Sequence, residues 1–175
     1  MSMDGSGEMT GDSTRCVHSS LDPEVTTGSV HTPIFQTSTY VQNDFADHLG
    51  YEYARGDNPT RNALQRALAE MESPHQEAYG FCFGSGMAAI TTISQMLKQG
   101  DHVIACDDLY GGTVRLFDQI ASRFGIETSY SPLKSGDLGK VVRENSKILW
   151  LESPTNPLLT VHDIKSLAAE AKEHG

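Results

Sequence analysis

From residue 78 onward, short apolar runs alternate with amphipathic segments, and this alternation limits the fold more than any other feature of the sequence. The apolar runs predict strands over residues 78–83, 102–106, 127–131 and 147–152. The amphipathic segments predict helices over residues 87–97, 113–124, 137–144 and 163–174. Strands that alternate with helices are typical of a mostly parallel sheet flanked by helices. We therefore predict an α/β domain.

A further helix is predicted from Pro59 to about residue 71, because Asn58 suits the N-cap and proline suits the first helical position. Its apolar face is expected to be buried and comprises Ala63, Leu64, Ala67, Leu68 and Met71. Tyr53 and Arg55 precede this helix on a loop that it anchors. A guanidinium in such a place can bind a phosphate or a carboxylate. A solvated arginine in a polar connection explains the segment equally well.

Charge and cysteine content narrow the classes of partner and compartment. The net charge of −10 and the pI near 5.0 argue against nucleic acid or an anionic membrane surface as the main partner. No apolar run approaches the length of a membrane span. The three cysteines are widely spaced, and Cys82 and Cys106 lie in runs that predict buried strands, which favours a reducing compartment. We predict a cytoplasmic protein with one folding unit.

The N-terminal region differs in composition from the rest of the chain. Residues 1–14 are rich in Gly, Ser, Met and acidic residues without periodicity, which predicts a disordered leader. Pro23, Gly28 and Pro33 interrupt residues 17–42 and exclude a long helix there. We predict that this stretch is an extended arm that lies over another surface.

The segment Gly84-Ser85-Gly86 joins a predicted strand to a predicted helix. Its free backbone amides would lie at the positive end of the helix, where a phosphate is the natural ligand. The segment also matches a dinucleotide fingerprint with Ala89 in third place, and Asp107 ends the next strand at a suitable distance for a ribose hydroxyl. A tight turn with glycine for packing alone is a third possibility. No lysine follows the glycines, which argues against a nucleoside-triphosphatase loop.

Polar residues follow two other predicted strands. Tyr110 could stack on a flat cofactor ring and move a proton, and Arg115 could bind a substrate carboxylate. Glu152 and Asn156 flank a proline-rich turn, and Asn156 could donate to a phenolic oxygen. Each segment alone is also explained as a packed or solvated turn. The sequence has no zinc-type histidine pair, no Gly-x-Ser-x-Gly elbow and no Cys-x-x-Cys pair.

Together, several ordered segments resemble one family. They are Pro33-Ile-Phe-Gln-Thr-Ser-Thr-Tyr40, Tyr53-Ala-Arg55 with Asn58-Pro-Thr-Arg61, Ser85-Gly-Met-Ala88, Tyr110-Gly-Gly-Thr113 and Glu152-Ser-Pro-Thr-Asn-Pro157. They resemble the trans-sulfuration (Cys/Met metabolism) family of pyridoxal-phosphate enzymes, which includes cystathionine gamma-lyase, gamma-synthase and beta-lyase and methionine gamma-lyase. The resemblance covers residues 16–175.

The resemblance implies a phosphate site for pyridoxal 5'-phosphate that is shared between subunits. Tyr53 and Arg55 match the pair that reaches the cofactor phosphate of a neighbouring subunit. Ser85, Gly86 and Met87 match the segment that holds the phosphate, the last two through their backbone amides. This implication agrees with the argument from the helix terminus.

The resemblance also implies roles around the cofactor ring. Tyr110 matches the tyrosine that stacks on the pyridine ring and assists proton transfer, which makes it the catalytic candidate. Asn156 matches the residue at the phenolic oxygen of the cofactor. Arg115 and Glu152 match substrate-side positions. Gly112 stands where typical methionine gamma-lyases have a cysteine, which argues against that member.

The implied architecture is the large domain of the aspartate-aminotransferase-like fold (fold type I), in a homotetramer built from dimers with shared active sites. Residues 15–58 would be an N-terminal arm that contacts a neighbouring subunit, and residues 59–175 the first part of the large domain. The implied activity is that of a carbon-sulfur lyase acting on L-cystathionine, of the gamma-lyase type. Gamma-synthase and beta-lyase are alternatives.

The sequence departs from the family because it lacks the cofactor lysine, the aspartate that pairs with the cofactor and the substrate-carboxylate arginine of the C-terminal domain. The cofactor lysine of the family lies in a Ser-x-Thr-Lys motif, and an aspartate that pairs with the pyridinium nitrogen precedes it; neither motif occurs here, and both would fall after Gly175. We expect the N-terminal part of an enzyme, truncated before the cofactor lysine and, by itself, inactive and poorly folded. An NAD-binding oxidoreductase domain and a non-catalytic truncated relative remain alternatives.

Overall fold

A computed structural model of the chain describes residues 11–19, 22–74, 76–134 and 136–174. It divides into two compact units, Met1–Cys82 and Phe83–Gly175, whereas chain length alone predicts one. Most of the predicted leader, residues 1–10, lies outside the described residues. Across the described residues, no helix is both long and apolar enough to cross a membrane.

The first described element of the first unit is a helix that the sequence does not predict, α1 (Asp12–His18). The guanidinium of Arg15 pairs with the Asp12 carboxylate at 2.9 Å. Asp12 lies in the first turn and Arg15 in the last, so both charges suit the helix dipole. Because the helix buries no residue within the described chain, it has no apolar periodicity that could reveal it in the sequence.

A short antiparallel hairpin and a longer helix complete the first unit. The hairpin pairs β1 (Gln42–Asp44) with β2 (Asp47–His48), and the helix is α2 (Pro59–Glu72). The predicted cap is confirmed, because Asn58 Oδ1 accepts hydrogen bonds from the backbone N–H groups of Thr60 and Arg61 at 2.9 and 3.2 Å. The predicted burial of the apolar face is wrong for its large members, which remain between 44% and 53% exposed: Leu64, Leu68 and Met71.

The start of α2 also fixes the preceding arm. The Thr60 hydroxyl donates to the Pro33 carbonyl at 2.8 Å and accepts from the Phe35 N–H at 2.9 Å. The Asn58 amide donates to the Phe35 carbonyl at 3.1 Å. Two side chains at the helix terminus therefore satisfy the backbone of an extended segment that, within the described part of the chain, has no strand partner at these residues.

The second unit contains the predicted parallel sheet, with strand order β4-β3-β5. The central strand is β3 (His102–Cys106), which pairs in parallel with β4 (Glu127–Ser131) and with β5 (Ser146–Trp150). The strand predicted over residues 102–106 and the one over 127–131 are confirmed, and the one over 147–152 is two residues too long at its end. The C-terminal ends of the three strands meet at one edge, where open α/β sheets bind their ligands.

The helices of the second unit follow the predicted order but differ in their ends. They are α3 (Gly86–Ser94), α4 (Gly111–Arg115), α5 (Leu138–Val141) and α6 (Ile164–Glu173). The chain continues α4 through a π-helical turn, Leu116–Ile120, and a 3-10 turn, Ala121–Phe124. The helix predicted over residues 87–97 extends three residues beyond the observed end of α3 at Ser94. The helix predicted over residues 137–144 is also too long, because α5 forms a single turn, Leu138–Val141.

The core of the second unit surrounds β3, all of whose residues are buried. Buried apolar side chains from the flanking segments pack against it: Leu109, Phe117, Ala121, Ile126, Leu133, Leu138 and Leu167. The ring of Phe117 meets Trp150 edge to face, with centroids 5.6 Å apart. Because the core around β3 is closely packed, it fixes the position of the C-terminal end of this strand and of the residues that follow directly.

The strand predicted over residues 78–83 is wrong. Within the described chain this segment pairs with no strand, and Tyr79 and Phe81 are 77% and 75% exposed. It lies against α2 instead: a Cβ on Gly80 would clash with the backbone of Gln65, whose side-chain oxygen accepts from the Cys82 N–H at 2.9 Å. Cys82 is half-buried rather than in a strand, whereas Cys106 is buried in β3 as predicted.

A buried histidine ties the three strands together at the opposite edge of the sheet. His102 is fully buried, and its ring nitrogens form hydrogen bonds with the hydroxyls of Ser146 and Ser129 at 2.8 and 2.9 Å. Arg143 supports both serines, through its backbone N–H to Ser146 at 2.9 Å and its guanidinium to Ser129 at 3.0 Å. This link joins β4, β3 and β5 through side chains in addition to their backbone ladder.

Candidate functional site

The N-terminus of α3 offers backbone donors to an anion. Ser85 caps the helix, and its hydroxyl accepts from the Ala88 N–H at 3.1 Å. The loop from Gly84 to Gly86 is exposed, and a Cβ on either glycine would meet no described atom within 4 Å. The amides of Gly86 and Met87 precede the capped one and belong to the first turn, whose N–H groups have no partner within a helix. An anion can approach them closely.

Tyr110 lies between the end of β3 and the start of α4. Its carbonyl accepts from the N–H groups of Thr113 and Val114 at 2.9 and 3.2 Å, so its backbone begins the helix. The residue as a whole is 45% exposed. A Cβ on Gly112 would collide with this ring and lie 2.8 Å from Met87 Sδ, so the structure brings Tyr110 and Met87 to the same place.

Glu152 follows β5 and caps α4 from the neighbouring strand. Its Oε2 accepts from the backbone N–H of Tyr110 at 3.0 Å, and its Oε1 accepts from the Thr113 hydroxyl at 3.4 Å. Thr113 is fully buried. A carboxylate at a helix N-terminus is also favoured by the helix dipole. The sequence-based prediction identified Glu152 but not this contact.

Asp108 and Thr155 hold the turn that carries Asn156, and the sequence analysis missed both. Asp108 Oδ2 accepts from the Thr155 hydroxyl and from the Leu158 N–H, the latter at 3.0 Å. Thr155 is buried, and its oxygen accepts from the Thr160 N–H at 2.7 Å. Asn156 itself is exposed. The sequence did contain a signal for these two residues, because Asp and Thr are short polar residues whose side chains commonly form hydrogen bonds to backbone groups in turns.

Arg115 is exposed on α4 and curls back toward the helix start. A Cβ on Gly111 would lie 3.3 Å from its Nη1, so the guanidinium lies one turn from Tyr110. The Arg115 guanidinium therefore lies near the N-terminus of α4, where a carboxylate of a small ligand could reach it.

Tyr53 and Arg55 lie in the first unit and contact each other. The guanidinium carbon of Arg55 lies 4.6 Å from the Tyr53 ring centroid, a cation–π contact. Arg61, on α2, donates to the carbonyls of Ala54 and Gly56 at 2.9 and 2.8 Å, on either side of Arg55. The sequence analysis quoted Arg61 only as part of a motif, but its guanidinium is the group that holds this loop.

Cys106 is the last residue of β3, and it is fully buried. Burial raises the pKa of its thiol, which donates to the Asp108 carbonyl at 3.6 Å. A buried, protonated thiol is unreactive.

Known proteins resemble the chain over nearly its whole length. A probable cystathionine gamma-synthase of Herpetosiphon aurantiacus is 45% identical over 166 residues, which are 94% of this chain and 51% of the relative. A cystathionine beta-lyase of Lactococcus lactis subsp. cremoris is 42% identical over 167 residues, 95% of this chain and 43% of the relative. The crystal structure of cystathionine gamma-lyase from yeast superposes with a TM-score of 0.85 at 40% identity, covering 96% of this chain and 42% of that one.

These relatives carry three different names, cystathionine gamma-synthase, beta-lyase and gamma-lyase, and the chain spans about half of their length or less. The fold is that of these lyases, with a parallel sheet and flanking helices. The model of the family described as "Cys/Met metabolism PLP-dependent enzyme" matches residues 13–175, and the chain belongs to this family.

Proposed function

We propose that this chain is the N-terminal part of a carbon-sulfur lyase that uses pyridoxal phosphate and acts on L-cystathionine in the manner of a gamma-lyase. The observation that carries the proposal is that Tyr110 and Met87 lie together beside the open N-terminus of α3. A planar aromatic ring next to free backbone donors suits a flat cofactor with a phosphate.

The residues present fit that cofactor. The amides of Gly86 and Met87, with the cap Ser85, would hold the phosphate, and the ring of the half-exposed Tyr110 would lie on the cofactor ring. The exposed amide of Asn156 would donate to the phenolic oxygen. When bound there, pyridoxal phosphate would supply an electron sink for negative charge that develops on the substrate.

The remaining residues would bind and orient the substrate and move its protons. The Tyr110 phenol would hold or transfer a proton at its oxygen. Arg115 would bind the substrate carboxylate. Tyr53 and Arg55 would reach the phosphate of a neighbouring subunit, in a homotetramer built from dimers with shared sites. We place this enzyme in the cytoplasm, on the grounds of its cysteine content.

The experiment that tests the proposal uses the natural gene product that contains this chain. We expect pyridoxal phosphate to change its absorption spectrum saturably and borohydride to fix the cofactor on a lysine, which peptide mapping would place in a Ser-x-Thr-Lys segment. Absence of saturable binding in a folded product would contradict the proposal. A polypeptide of only these 175 residues, which has no such segment, is expected to turn over no cystathionine.

The thiol released from cystathionine separates the alternatives within the family. Cleavage at the gamma carbon releases cysteine, and cleavage at the beta carbon releases homocysteine, so product analysis distinguishes gamma-lyase from beta-lyase. Consumption of cysteine in a replacement reaction would favour gamma-synthase. A dinucleotide at Gly84-Ser85-Gly86 is not supported, because the segment lies within the matched range of the family.

Replacing Gly112 with alanine is expected to weaken cofactor binding about tenfold, since overpacking typically costs about 1–3 kcal/mol. The added methyl would displace the ring of Tyr110 and Met87 Sδ. A fluorescence titration with pyridoxal phosphate measures the effect. Gly139→Ala is the matched control, because a Cβ there would lie at an ordinary 3.8 Å from His174 Nε2. Equal dissociation constants for the two variants would contradict the prediction.

A further inference from the structure

We propose that Glu152 is a positioning residue that acts through Tyr110, rather than a group that touches the substrate. This inference rests on the proposed function. Each oxygen of the Glu152 carboxylate accepts a hydrogen bond from the first turn of α4, one from the Tyr110 N–H at 3.0 Å and one from the Thr113 hydroxyl at 3.4 Å. The carboxylate therefore faces the backbone of the residue that carries the chemistry.

With the hydrogen bond to Glu152, both polar backbone groups of Tyr110 have a partner. The Tyr110 carbonyl already accepts from the N–H groups of Thr113 and Val114, and Glu152 binds the N–H on its other side. Because both polar groups of this backbone are bonded, the direction in which the ring leaves the chain is defined. Without Glu152, the Tyr110 N–H loses this acceptor.

Two strands are linked by this contact. Tyr110 follows β3, and Glu152 follows β5, so the carboxylate joins the ends of neighbouring strands. Thr113 is fully buried, which keeps its hydroxyl in place. A hydrogen bond between an ionised acceptor and a backbone N–H is stronger than a neutral one, so it suits a positioning role.

The test compares Glu152→Ala and Glu152→Gln in the natural gene product. Hydrogen exchange at the Tyr110 amide reads the capping directly, and titration with pyridoxal phosphate reads its effect on the site. We expect Glu152→Ala to accelerate exchange of this amide about tenfold or more and to weaken cofactor binding as much as Tyr110→Ala does. Glutamine keeps one acceptor oxygen, so Glu152→Gln should fall between wild type and alanine in both measurements.

The double variant and two milder changes complete the experiment. Glu152→Ala combined with Tyr110→Ala should bind the cofactor no more weakly than Tyr110→Ala alone, since the residues act as one unit. Thr113→Val removes one donor and keeps the bond to Tyr110, so it should affect exchange less. Glu144→Gln, at an exposed glutamate shortly before β5, is the matched control and should match wild type.

The outcomes are distinct. If Glu152→Ala and Glu152→Gln raise only the KM for the amino-acid substrate, with exchange at Tyr110 and cofactor affinity unchanged, Glu152 touches the substrate and the inference is overturned. If the wild-type product binds no pyridoxal phosphate, the proposed function fails. The exchange measurement then still decides whether Glu152 holds Tyr110.

Discussion

Replacing Arg61 with alanine is expected to lower the free energy of unfolding by about 2–3 kcal/mol, the scale of a hydrogen bond to a charged group. The guanidinium bonds the carbonyls of Ala54 and Gly56 at 2.9 and 2.8 Å. These carbonyls flank Arg55, whose guanidinium lies over Tyr53. Without the clamp, the loop loses its attachment to α2, so the affinity for pyridoxal phosphate should fall about tenfold. Chemical denaturation and a cofactor titration measure the two effects.

Two further variants isolate the fork-shaped contact. Arg61→Lys keeps the charge but replaces a planar, two-pronged donor by a point charge, so it should recover only part of the loss. Arg66→Ala removes an exposed arginine from the same helix and should change neither measurement appreciably. A result in which Arg61→Ala and Arg66→Ala behave alike would contradict the role given to Arg61.

Acidification is expected to destabilise the sheet through His102. Burial, assisted by the charge of Arg143 and opposed by that of Glu127, holds the pKa of His102 below its ordinary value of 6.5. Below pH 6.5 the unfolded chain takes up a proton that the folded chain does not, so stability is retained above that pH and falls below it. Between pH 7.5 and 5.5 the contribution of this residue to the free energy of unfolding should therefore decrease, which denaturant titrations at the two pH values measure.

A glutamine at this position separates titration from hydrogen bonding. The neutral ring of His102 bridges Ser146 and Ser129 with one donor and one acceptor, and an amide supplies the same pair. His102→Gln should therefore fold at pH 7.5 and lose this part of the acid sensitivity in denaturant titrations. His48→Gln, at an exposed histidine whose Nδ1 accepts from the Gly50 N–H at 3.1 Å, serves as the control. An unchanged pH dependence in His102→Gln would refute the assignment.

Local patterns predicted the elements that form through local bonds or complete burial. Strand β3 is apolar at nearly every position, and a short continuous apolar run is typical of a strand that is buried on both faces. The structure buries every residue of this strand. The start of α2 was predictable because Asn58 and Pro59 act within one turn. Segment 78–83 was not predictable in the same way, because a strand needs a neighbour and apolar composition does not specify one.

The sequence by itself determined the family, the parallel sheet and the positions of the candidate site residues, since each depends on residue type and spacing along the chain. Only the tertiary structure decided what holds those residues. Glu152 meets Tyr110 and Asp108 meets Thr155 across 42 and 47 positions of sequence. Such contacts arise where the ends of parallel strands come together, and no local pattern encodes which side chains meet there.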